Sequence, residues 1–239
     1  VMGRLVWFMS LALLAALTIS VQLDRQSAIA PHFADLTPEP VRSFAQAQIA
    51  ARALAGEDPQ EALQETRKLV ARRPLPAEPL RMLAQAQIQS GQSSEGLTTI
   101  QIAAQRGWRD PAAQEAMLRV AIAAGDEREA ARRYVALLVR RGTSDDLLQE
   151  FGEILFSNSH GLATQTLAGI VASSDRWRPV FLRRGMRVLP ATSIAGVIAQ
   201  SAEAGAAFDC ALLRQTVQAL ERMDKQAHPE LHEVVRIQC

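Results

Sequence analysis

The sequence predicts an all-α protein, a solenoid of antiparallel helical hairpins behind a single N-terminal membrane helix. Three observations carry that expectation. Gly91 and Gly125 stand 34 residues apart, each preceded by about a dozen helix-prone residues with an apolar stripe and followed five positions later by a small residue, Gly96 and Ala130. Hydrophobic residues make up 48% of the 239 positions but aromatics only 5%, so the apolar bulk is Ala and Leu, which suits closely packed helices rather than β-branched strands. Residues 5–21, LVWFMSLALLAALTISV, carry no charge.

As a helix, that run spans roughly 25 Å, the short end of what crosses a bilayer. It is apolar all round, which argues against a buried first helix with a polar stripe. A cleaved signal peptide is the competing reading. Thr18-Ile19-Ser20 is a poor small-x-small match, and Ala28-Ile29-Ala30 lies past the apolar core with Pro31 after the cut, so residues 1–23 read as a retained anchor. Arg4 and the amino terminus precede the run, whereas Asp24 and Arg25 roughly cancel behind it. That asymmetry keeps the N-terminus cytoplasmic and exports the rest. Residues 24–40 contain Pro31, Pro38 and Pro40 and read as an extended linker.

Residues 41–142 read as three hairpins. In the first, Phe44, Ala45, Ile49 and Leu54 recur at helical spacing, Gly56-Glu57-Asp58-Pro59 turns the chain, and Ala62, Leu63, Leu69 and Val70 face inward on a second helix that Pro59 opens. The second places Leu80, Leu83, Ala84 and Ile88 on one helix and Ile100 and Ala103 on the next. The third does the same with Met117, Leu118 and Ala121, then Ala130, Tyr134 and Leu137.

Residues 125–142, GDEREAARRYVALLVRRG, resemble the second half of a tetratricopeptide repeat: glycine, an acidic pair, small Ala130, aromatic Tyr134 four positions later, and a closing turn. Leu80, Leu83 and Ala84 match the family's opening positions, and Met117 and Leu118 do so more loosely. The aromatic that opens the family's first helix is missing from both hairpins, and Leu118 stands where the family has a small residue, so these are degenerate copies. The resemblance implies a superhelix whose first helices line a concave groove for peptides or partner proteins. Counted back from the turn glycines, the outward positions are Glu78, Arg81, Gln85, Ile88 and Gln89 in the second hairpin and Ala112, Glu115, Arg119, Ile122 and Ala123 in the third. The charged and amide groups among them, Glu78, Arg81, Gln85, Gln89, Glu115 and Arg119, suit an extended backbone with its donors and acceptors.

Residues 143–239 read as divergent hairpins and a capping helix, without a clear period. Ser144 caps a helix to Phe156, with Asp145 and Asp146 in its first turn. Further helices run over 162–172, 175–189 up to Pro190, 192–204 and 208–225, and Pro229 opens a last short one. Trp177 and Phe181 read as core.

With 26 basic against 25 acidic side chains there is no basic field, which argues against general nucleic-acid binding. His228 and His232, with Glu230, Glu233 and Cys239 nearby, suggest a metal face, but Pro229 takes the first helical position and leaves His228 at the cap; no metal is expected. His160 reads as a solvent-exposed turn residue. Gly91-Gln92-Ser93-Ser94-Glu95-Gly96 lacks nucleophile-elbow spacing, and no phosphate loop or dinucleotide fingerprint occurs, so neither catalytic residues nor a cofactor are expected. Cys210 and Cys239 lack C-x-x-C spacing. In an oxidising compartment they could pair, closing a loop of about 30 residues worth roughly 3 kcal/mol; otherwise they are two thiols.

The expectation is therefore a non-enzymatic, single-pass protein of a bacterial inner membrane whose C-terminal domain in the periplasm binds protein or peptide partners. Two alternatives stay open: a secreted binding protein of the same fold, and an envelope enzyme whose site joins His160, His228 or His232 to acidic groups.

Overall fold

The computed structural model describes residues 2–223 and 229–239, is 79% helical, and contains no strand among the described residues. Lys225 and His228 lie outside the described residues. The chain divides into two compact units, Val1–Gly107 and Trp108–Cys239, each with its own core. The boundary falls inside the 41–142 stretch expected to be continuous.

Unit 1 opens with α1 (Met2–Ser27), whose large apolar side chains from Met2 to Val21 are exposed. Helices α2 (Phe44–Ala55) and α3 (Pro59–Arg72) pair, and α4 (Ala77–Gln89) packs on both and on α5 (Ser93–Arg106). Pro59 does stand at the start of α3, and the Asp58 side chain accepts from the Gln60 amide at 2.8 Å. Gly91 turns α4 into α5 at φ 82°, the left-handed region that glycine enters without steric cost. Gly96 is small by necessity: a Cβ there would meet Ile88 Cγ1 at 2.6 Å and the Ala84 carbonyl at 3.1 Å. Ile88 itself is half exposed. The core joins Ala50, Leu63, Leu69, Met82 and Ala86. Beside it, buried Gln46 is satisfied at both ends, donating to the Glu65 carboxylate at 2.7 Å and accepting from Arg72 at 2.8 Å.

The 24–40 segment is not an extended linker. Helix α1 runs on to Ser27, and two 3-10 turns follow, Pro31–Ala34 and Glu39–Val41, with Pro31 first in one and Pro40 second in the other, positions where a missing N–H costs nothing. The first turn packs against both α1 and α2. Asp24, only 5% exposed, explains the fold-back: its carboxylate accepts the backbone N–H of Ser43 at 2.7 Å, Phe44 at 3.3 Å and Ala45 at 2.9 Å. Those are orphan donors of the first turn of α2, and a carboxylate at that end also meets the positive end of the helix dipole. Ser43 stands at the cap position but makes no side-chain cap bond of its own.

Unit 2 starts with the pair α6 (Pro111–Ala123) and α7 (Glu127–Leu138), turned by Gly125 at φ 71°. Asp110 and Asp126 cap them through the amides of Ala113 and Glu129. Then come α8 (Asp145–Phe156), capped by Ser144 as expected, and α9 (Leu162–Ser173), which packs on α7. The helix expected over 175–189 is interrupted: α10 (Trp177–Val180) passes through a π turn, Phe181–Gly185, into α11 (Met186–Val188). Helix α12 (Ala191–Glu203) packs on α9, Gly205 turns at φ 87°, and α13 (Cys210–Met223) and α14 (Pro229–Gln238) close the chain.

Tyr134 sits at the centre of this unit, fully buried, donating its hydroxyl to the Leu148 carbonyl at 2.9 Å with the Val188 carbonyl at 3.4 Å. Its ring meets Phe156 edge-on at 5.0 Å. Burial pushes the phenol well above its usual value, so it stays neutral. Trp177 packs against this core and Phe181 is buried in it. Cys210 and Cys239 form a disulfide with Cα atoms 5.7 Å apart, and no free cysteine is left. Gln238 reinforces the junction, accepting from the Phe208 amide and donating to the Ala206 carbonyl.

Candidate functional site

Helices α2 and α4 lie side by side in unit 1 and leave a groove of about 330 Å³ between them. Its α2 wall carries Ala47, Ala51 and Ala55, one helical turn apart, with Gln48 and Leu54 beside them. Three alanines in a row leave the space empty that larger side chains would fill. The α4 wall carries Glu78, Arg81, Met82 and Gln85, again one turn apart.

Three of the six expected contact residues, Glu78, Arg81 and Gln85, thus converge on this groove. Gln89 lies one turn further along α4, where its side-chain amide donates to the Leu54 carbonyl at 3.4 Å, adding a donor to the last turn of α2. Glu78 stands 3.9 Å from Arg73, an ion pair open to solvent and worth little by itself. Glu115 and Arg119 belong to unit 2, on α6, where they pair with each other and Arg119 lies 5.0 Å over the Phe151 ring. The α2 wall was not among the expected contact positions, because a first hairpin carrying Ala rather than polar residues gives no outward signal.

Chemically the groove offers amide donors and acceptors from Gln48 and Gln85, one charge of each sign from Glu78 and Arg81, and an apolar floor of Ala, Leu54 and Met82. That combination fits an extended polypeptide, which presents backbone N–H and C=O groups on its edges and one side chain inward. In the groove lining Glu78 is the one carboxylate, and no His, Cys, Ser or Tyr accompanies it.

The two described histidines of the enzyme alternative lie on different elements. His160 is exposed in the turn before α9, 3.0 Å from the Ser159 hydroxyl, and His232 on α14 stands 3.0 Å from Glu221 of α13. The third, His228, lies outside the described residues. A pocket between α12 and α14 gathers Glu203, Glu230 and Glu233 without a histidine in its lining. Among the described residues no group of three or more His, Cys, Asp or Glu is placed to hold a metal ion.

Searches against protein-family models, curated proteins and solved structures return no match for this chain.

Proposed function

We propose that this chain is a non-catalytic, membrane-anchored scaffold of the tetratricopeptide type, whose α2–α4 groove holds an extended segment of a partner protein in the bacterial envelope. The groove itself carries the reading, since Glu78, Arg81 and Gln85 reach it from the positions that the repeat register assigns to the concave side. Supporting the repeat assignment are the left-handed glycines Gly91 and Gly125, the close helix approach at Gly96, and the packing within unit 1, in which the first helix α2 touches both its own partner α3 and the next first helix α4.

Retention of the anchor is supported by Asp24. A cut after Ala30 would remove both α1 and the carboxylate that caps α2. The Cys210–Cys239 bond favours an oxidising compartment, and Arg4 ahead of α1 supports export of the C-terminal domain, both in keeping with a periplasmic location. In this reading an anchor raises the local concentration of the groove beside membrane-bound partners in envelope assembly or export.

Panning of random extended peptides against the full-length protein in nanodiscs tests the proposal. Peptides enriched on the wild type should lose at least tenfold in affinity on Ala51→Trp, which fills the groove. They should keep it on Gln101→Trp, an exposed position of α5. Equal binding to both variants places the peptide elsewhere and removes the groove from the function.

A further inference from the structure

Beyond the groove, we infer that the turn after α1 is a foot that rests in the lipid headgroup layer, with Ile29 and Leu36 as its apolar contacts. This inference rests on the reading of α1 as a retained membrane anchor. Ile29 is 81% exposed and Leu36 64% exposed, while Ala34 and Thr37 of the same segment are buried. The segment therefore has two sides: the one with Ala34 packs inward on α1 and α2, and the other presents two large aliphatic side chains. Isolated exposed aliphatics are ordinary on a soluble surface; these two adjoin an apolar surface that already needs lipid.

Distance along the helix sets their depth. The uncharged run ends at Val21, and α1 continues six residues to Ser27, roughly 9 Å of rise. Headgroup layers are roughly 5–8 Å thick on each side of the hydrocarbon, so the end of α1 and the turn packed against it fall at their outer edge. The run itself is about 5 Å shorter than a typical hydrocarbon core, and a short span draws its flanks toward the acyl boundary. Arg25, exposed on the last turns of α1, is placed to meet lipid phosphates.

Charge does not oppose this placement. Asp35, the acid between the two aliphatics, is held by Arg52 at 2.9 and 2.5 Å, so the foot carries no unpaired carboxylate between Ile29 and Leu36. The clamp of Asp24 on Ser43 and Ala45 fixes the turn against the helix, so that it cannot swing into bulk water without breaking those bonds.

Spin labels read the depth directly. Both native cysteines are disulfide-bonded, so single-cysteine variants of the full chain take one label each: Ile29→Cys, Leu36→Cys, Leu13→Cys in mid-span, and Leu75→Cys, an 84% exposed loop position of the same unit. The protein is placed in vesicles of phosphatidylethanolamine and phosphatidylglycerol, and collision with oxygen is compared with collision with a nickel chelate. The foot predicts an oxygen-to-nickel ratio at 29 and 36 that is several-fold above that at 75 and below that at 13. Ratios at 29 and 36 equal to that at 75 overturn it, as does equal protection from both reagents, which means a protein covers the turn. A low ratio at 13 removes the anchor reading, and the foot with it; a high ratio at 13 with low values at 29 and 36 removes the foot alone.

Discussion

The carboxylate of Asp24 stands 2.7 Å from the backbone nitrogen of Ser43, a bond that joins the end of the apolar helix to the start of the first hairpin across 19 residues. The same oxygen accepts from Ala45. A flexible tether would let the hairpins sample a shell of orientations above the bilayer, whereas this clamp makes α1 and α2 move together. The groove between α2 and α4 therefore keeps one fixed attitude to α1.

Removing the clamp should loosen that junction first. Asp24→Ala leaves three N–H groups of the α2 start without their acceptor, a loss of about 1–2 kcal/mol on the scale of other helix caps. Hydrogen exchange in detergent micelles should show faster exchange at residues 43–45 with little change in α5. Unchanged protection at those amides would mean that the cap is not made.

Two glycine substitutions should act in opposite directions. At Gly152 a Cβ would come 2.4 Å from the Val188 carbonyl, a backbone atom that cannot rotate away, so Gly152→Ala should cost about 1–3 kcal/mol. At Gly169, in mid-helix with nothing within 4 Å, the same change should stabilise by roughly 0.5–1 kcal/mol. Urea unfolding of the pair measures both, and equal shifts would contradict the packing of α8 against α11.

The disulfide should matter for the last helix. Cys210→Ser with Cys239→Ser opens a loop of 29 residues and should destabilise unit 2 by roughly 3 kcal/mol. Exchange should rise most in α14, whose Leu231 and Val234 are buried in the unit core, and least in α6. A uniform change across both helices would argue against a local clamp.

Acid should weaken unit 1 partly through Glu65. Burial alone would raise its pKa, but hydrogen bonds from Lys68 and Gln46 outweigh burial and hold it below the ordinary 4.5. A lowered carboxyl pKa contributes stability above about pH 4.5, and that contribution is lost as pH falls through the lower folded value. Glu65→Gln should therefore flatten the stability profile below about pH 4.5 and lie below the wild type at pH 7. Parallel profiles for the two proteins would show that Glu65 is not involved.

What could be read from the sequence follows how local each signal is. Gly91 and Gly125 end runs of helix-favouring residues and stand in the conformation glycine favours, so hairpin turns are visible without a structure. Ser144 and Pro59 are equally local, since cap and first turn lie within four residues. Asp24 is not legible, because its partner amides lie 19 to 21 residues away and no pattern links them. The three prolines suggest extension, but here Pro31 opens one 3-10 turn, and Pro38 and Pro40 stand at the cap and the second position of the other, where no turn N–H is needed. Similarly, the alanine wall of the groove carries no polar mark, and the π turn at Phe181–Gly185 has no signature in the chain.

Site-specific photocrosslinking in intact cells tests the groove most directly. A benzophenone side chain replacing Gln85, on the α4 wall, is compared with one replacing Arg67 on the exposed side of α3. Groove binding predicts a discrete crosslinked protein at 85 that is absent at 67 and is lost when Ala51→Trp is added. The same products at both positions, or products at 85 that persist with Ala51→Trp, would contradict a groove that holds a partner.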